Sequence, residues 1–182
     1  LQNPNFTAVM ETDPAIEAFR QTLDRLDSIT SQQQTLTIAL LRADEIPGLI
    51  GRCRYPSESQ SLREEQATIG HPVSLRTRQS QLDNELQQVN SVIGAHLRAA
   101  IEAASAHVIT AAGGPEVAGV YPLALRVRAD LIRHRAIPPT ASPTARLIFL
   151  EKAWMSIDAA MATLGEIRFG AQEWSKRSGR VF

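Results

Sequence analysis

Cysteine is almost missing from this 182-residue chain. Cys53 stands alone, which excludes a disulfide framework and any zinc ribbon. Net charge is missing too: 19 basic residues face 19 acids, so no global field draws the chain to nucleic acid or a membrane. No apolar run approaches the ~18 residues of a membrane span. Alternating β-branched runs and Asn-Gly hairpin turns are absent, so nothing reads as a sheet. No Gly-rich phosphate loop, no Gly-x-Ser-x-Gly elbow and no Glu-x-x-His pattern occurs. No repeat of 20–50 residues is found. With 43% apolar and 21% charged residues the chain is globular, and its length suits one domain spanning residues 1–182.

What is present is helical periodicity. Asp13-Pro14 pairs a capping side chain with a proline suited to the first helical position. Ile16, Phe19, Leu23 and Leu26 then form one stripe, which falters across the polar stretch Ser28–Gln34 and resumes at Leu36, Leu40 and Leu41. The spacing predicts one long helix over 13–45, with a break near Ser31 as the alternative and Pro47-Gly48 as the stop. Residues 47–73 read as a long irregular connection holding a short polar helix within 57–68, capped by Ser57 or Ser61.

The second long helix is expected from about Ser74 to Ala112. Leu82, Leu86, Val89, Ile93, Leu97, Ala100, Ala104 and Val108 recur at helical steps. Gly94 inside it suggests close approach of a neighbour, and Gly113-Gly114-Pro115 stops it. Pro122 opens a helix to about Ala136, ended by Pro138-Pro139. After Ser142-Pro143, Leu147, Leu150, Trp154, Ile157, Met161 and Leu164 make a seven-residue seam, with Gly165 as its cap. Residues 165–182 are left as a C-terminal tail. The expected fold is all-α: an antiparallel up-down bundle of about four helices, two of them long. Pairing helix 13–45 antiparallel with helix 74–112 sets Gln32–Gln34 opposite Gln87 and Gln88. That predicts either a buried polar layer or a splayed, watered gap.

Candidate chemistry is thin. His71, His96, His107 and His134 lack the i, i+3 or i, i+4 spacing of helical metal ligands, so neither metal nor cofactor is expected. His96 and His107 read as satisfied side chains at a helix boundary. Arg52 and Arg54 flank Cys53, which with His71 makes at most an isolated thiolate pair without an oxyanion hole. Gly113-Gly114 follows a helix, so it is a stop and not a nucleotide cradle.

Charge is unevenly spread. Residues 1–72 hold six basic residues against ten acids, and residues 73–182 hold thirteen against nine. Seventeen of the nineteen basic residues are Arg, a side chain suited to interface and phosphate contacts. Arg126, Arg128, Arg133 and Arg135, with His134, crowd ten residues around the stripe Leu123, Val127 and Leu131. Arg126 with Arg133, and Arg128 with Arg135, are expected on opposite sides of one helix. Asp130 stands four residues from both Arg126 and His134 and can pair locally. This cluster reads as a solvated or internally paired face, a protein contact, or a grip on phosphates. No aromatic residue stands among the arginines, which argues against stacking on single strands. In the tail, Phe169, Trp174 and Phe182 are candidates for docking, on a neighbouring subunit or back onto the chain itself.

The chain starts at Leu1, and its first twelve residues lack the charged start and apolar stretch of a signal peptide. A soluble protein is expected. The leading expectation is a non-enzymatic structural or interaction subunit of a larger assembly, reached through protein partners or self-association. A virion neck or tail component or a secretion-machine part fits that description. A nucleic-acid or anion-binding module using Arg126–Arg135 is the alternative. An enzyme assembled from distant residues is the third reading.

Overall fold

The computed structural model describes residues 13–139 and 141–179. Among them are six helices and no strand: α1 (Pro14–Ile50), α2 (Pro56–Ile69), α3 (Pro72–Ala111), α4 (Pro115–Ala118), α5 (Pro122–Arg133) and α6 (Pro143–Ser178). The chain is all-α.

The helix starts follow one chemistry. Each of the six begins at a proline, whose missing N–H is no loss in the first turn and whose φ is already helical. Asp13 caps α1, its Oδ1 accepting from the backbone N–H of Ala15 (2.9 Å) and Ile16 (3.3 Å). Ser142 caps α6 through Ala145 N–H at 3.2 Å. Neither Ser57 nor Ser61 caps α2, which starts at Pro56 behind Tyr55 with no side-chain cap. Gly113 and Gly114 end α3 with φ of 90° and 123°, a region costly for other residues, and their N–H groups reach the carbonyls of Thr110 and Ile109.

Three boundaries differ from the sequence-based expectation. Helix α1 does not stop at Pro47-Gly48 but runs unbroken through Ser31 and Pro47 to Ile50. Pro47 sits one turn from the end, and the packing of fully buried Ala43 and Ile46 just before it carries the helix past the lost hydrogen bond. The stretch 47–73 is consequently not an irregular connection. It is mostly helix, leaving only residues 51–55 and 70–71 outside α1, α2 and α3. Finally, Gly165 does not cap the last helix, and 165–178 is not a tail: α6 is a third long helix of 36 residues. Its inner seam shortens one step after Leu164, continuing to buried Ile167 and Ala171.

The described residues divide into two compact units, one running to Asp24 and again from Ser91, the other Arg25–Asn90. In the first, Ile16, Phe19 and Leu23 of α1, Ile93, Leu97, Ala104 and Val108 of α3, and Ala124 and Leu131 of α5 are buried. So are Leu150, Ala153, Ile157, Ala160, Met161 and Leu164 of α6. Helices α1 and α3 are antiparallel here. Asp13 bonds His107 at 2.9 Å, and Thr22 bonds the Nδ1 of His96 at 2.8 Å, so both histidines are satisfied at a helix boundary as expected. Helices α5 and α6 also run antiparallel. The Tyr121 hydroxyl donates to the Glu166 carbonyl at 3.3 Å, and the His134 ring lies 5.2 Å from that of Phe149.

Tyr121 explains one glycine. A Cβ at Gly170 would lie 1.8 Å from Tyr121 Oη and 2.5 Å from its Cζ, so only glycine lets the ring lie on the α6 backbone. Gly170→Ala is expected to destabilise by about 1–2 kcal/mol, overpacking outweighing the ~1 kcal/mol gained in helix propensity. In a Tyr121→Ala background the same substitution is expected to stabilise, and urea unfolding of the four variants reads the change of sign. Gly94 serves no such purpose, because nothing approaches within 4 Å of where its Cβ would be.

In the second unit, Leu26, Ile29, Leu36, Ala43 and Ile46 of α1 and Leu82 and Val89 of α3 are buried, whereas α2 buries no residue. Helix α2 is held by a two-point fork: Arg42 Nε and Nη2 donate to Glu65 Oε1 and Oε2 at 2.6 and 2.8 Å. Of the two arrangements expected for these glutamines, the buried layer does not form, and the polar groups pair at the surface. Gln33 donates to Asp83 at 2.8 Å and Arg78 to Gln32 at 2.8 Å, while Gln87 and Gln88 are exposed. Two charged side chains reach across where glutamines were expected, so the polar groups stay in water and no buried amide needs a partner.

Candidate interaction surface

No group of three or more His, Cys, Asp or Glu gathers as a metal site among the described residues. Cys53 and His71 are engaged separately. The Cys53 thiol donates to the Leu49 carbonyl at 3.3 Å, and His71 Nδ1 accepts from the Val73 N–H at 3.3 Å, acting at the start of α3. Cys53 lines an open hollow of about 620 Å³ with Leu49, Arg52, Ser57, Glu58 and Leu62. No helix among the described residues is long and apolar enough to cross a membrane.

The basic run is split by the fold. Helix α5 ends at Arg133 with His134 as its C-cap, so Arg135 lies beyond the helix and shares no helical side with Arg128. All four arginines are exposed. Asp130 pairs with Arg133 at 3.0 Å, three residues on, in place of the i, i+4 partners Arg126 and His134 expected from the sequence. His134, with non-helical φ and ψ, no longer stands at the i+4 position from Asp130. Arg126 stays on the rim of a groove.

That groove, of about 270 Å³, lies between α5 and α6. Leu123, Arg126, Val127 and Asp130 form one wall; Met155, Ser156, Ala159 and Thr163 form the other. Beside it α6 turns a second face outward. Met155 and Phe169 are each 67% exposed, and Ile148 is exposed as well, whereas Ile157 and Ile167 on the inner face are 0% exposed. Of the tail candidates, Phe169 therefore sits on the outer face of a helix, Trp174 is half-buried within the same helix, and Phe182 lies outside the described residues. Sequence reasoning missed Met155 and Ile148. Their signal is visible only as a second heptad beside the stronger inner one.

Electrostatics at the edge of this surface depend on pH. Burial pushes the His134 imidazole below its ordinary range, and the Arg133 and Lys152 charges add to that, with Asp130 opposing. Its Nδ1 is buried without a partner. Asp13 is also held low: burial raises it, but the hydrogen bonds from His107 and from the Ile16 and Ala15 N–H groups outweigh burial. For both groups the unfolded chain binds the proton more tightly, so stability rises with pH. Stability is expected to fall as pH drops through the ordinary imidazole range, and to fall again through the carboxylate range as Asp13 protonates. Denaturant midpoints across pH should show the first decline reduced in His134→Gln and the second reduced in Asp13→Asn.

No family model matches the chain, and neither a curated protein nor a solved structure matches it.

Proposed function

We propose that this chain is a non-enzymatic structural subunit that lends helix faces to a larger protein assembly. The observation that supports this reading is the two-sided character of α6. Its inner face is buried in its own unit, while Ile148, Met155 and Phe169 stand exposed along the other side beside a shallow groove. Large apolar side chains gathered on one exposed face mark protein contact sites. A virion or secretion-machine part remains the kind of assembly this shape of sequence suits. The same reading takes the helical segments of the first unit as an antiparallel up-down bundle, in keeping with the reversed order of the 13–107 and 22–96 contacts. Arg133 pairs with Asp130 and Arg135 lies off the helix, so the four exposed arginines do not form the two helical sides that the nucleic-acid alternative relies on.

Capture of the tagged full chain from its native cell tests the reading. A companion in fixed ratio is expected, lost in Met155→Glu with Phe169→Glu although the melting temperature of the double variant is unchanged. Companions retained by that variant, or turnover of a substrate by the purified chain, would overturn it.

A further inference from the structure

We propose that the outer seam of α6 pairs with the same seam of a second copy of this chain, antiparallel, about a two-fold axis near Ala159. The inference rests on the interaction-subunit reading and names its partner. Along α6 the exposed positions Ile148, Lys152, Met155, Ala159, Ala162, Glu166 and Phe169 follow one another at steps of 4, 3, 4, 3, 4 and 3 residues. This is a complete helix-pairing repeat of exposed residues, with Met155 and Ala159 also lining the groove beside α5.

The order of chemistry along it is a palindrome with inverted charge. Large apolar residues, Ile148 and Phe169, stand at the two ends; alanine stands at the centre; one cation and one anion lie equally far from that centre. Among the described residues neither Lys152 nor Glu166 is held in an ion pair. A two-fold interface is self-complementary: if residue i meets residue j, then j meets i. Reversal about Ala159 brings Lys152 to the partner's Glu166 and, by symmetry, Glu166 to the partner's Lys152. It brings Ile148 beside the partner's Phe169 and Met155 beside the partner's Ala162, with Ala159 meeting its own mate where the backbones approach. A parallel pairing instead sets Lys152 against Lys152 and Glu166 against Glu166, which is repulsive. Charge complementarity therefore selects both the occupant and its direction. Asp158, at the flank beside the axis, faces its own mate in the antiparallel pair alone, one like-charge contact set against two Lys–Glu contacts. That like-charge contact keeps the association reversible, with a dissociation constant of about 1–100 µM.

Sedimentation equilibrium of the purified full chain tests the pairing. Wild type is expected to pass from monomer to dimer across that concentration range. Lys152→Glu alone and Glu166→Lys alone are each expected to weaken the dimer by about tenfold or more, because each sets two like-charge contacts across the axis. An equimolar mixture of those two variants is expected to form a 1:1 heterodimer, and the double variant K152E/E166K is expected to regain wild-type affinity. Both positions are exposed, so circular dichroism should be the same for all four proteins. A wild-type chain monomeric at about 100 µM, single variants that dimerise as wild type does, or a mixture that fails to pair would each overturn the proposal. None of these results touches the companion-capture experiment, so self-pairing can fail while the subunit reading stands.

Discussion

Ile167→Asp is expected to lower unfolding free energy by about 4–5 kcal/mol, whereas Phe169→Asp, two residues on, is expected to change it by about 0.5 kcal/mol or less. Ile167 is 0% exposed and Phe169 is 67% exposed on the same helix. The first substitution removes an aliphatic side chain from a packed interior and leaves a carboxylate there without a partner. The second puts a charge where water already is. Urea unfolding monitored by circular dichroism distinguishes the pair. Equal and small effects would mean that residues beyond Gly165 do not pack as part of the α6 core.

Phe19→Ala follows, with an expected loss of about 3–5 kcal/mol. Phe19 is the largest side chain of α1 with 0% exposure, and its ring lies 6.4 Å from that of Trp154 on α6 at a tilt of 52°. The truncation removes apolar area and an aromatic contact at once, and backbone helices cannot collapse fully into the space. A domain of this kind has ~5–15 kcal/mol in hand, so the variant should unfold at markedly lower urea, with Trp154 fluorescence reporting the change. Phe19 belongs to the first unit and α2 to the second. If the two units unfold separately, the transition attributable to Arg25–Asn90 should keep its midpoint.

The stripes were legible in the sequence because burial on one helix face imposes a 3.6-residue period. Phe19, Ile93, Leu97, Leu150 and Ile157 are all buried where their spacing puts them. Ends were read well where a side chain caps, as at Asp13 and Ser142, or where glycine takes positive φ, as at Gly113 and Gly114. They were misread where a breaker residue is overridden by packing. Pro47 lies beside buried Ile46, and Gly165 lies beside buried Leu164, so tertiary contacts kept both helices going. The interaction surface was harder to see. Phe169 drew attention as an aromatic in a supposed tail, but its meaning depends on α6 extending to it. The basic run looked coherent in one dimension and is divided by the end of α5 at Arg133. Cross-helix partners such as Gln33 with Asp83 depend on register, which an error of one helical turn moves to the wrong residue.

Oxidative footprinting of two methionines on α6 most directly tests whether its outer face is a contact surface. Met155 is 67% exposed and Met161, six residues on, is 7% exposed. In dilute purified protein Met155 should oxidise rapidly and Met161 slowly. In intact cells or in the native assembly, Met155 should become protected to near the level of Met161, with Met161 unchanged. A Met155 that oxidises as fast in the native assembly as in the isolated chain would contradict the role assigned to this face.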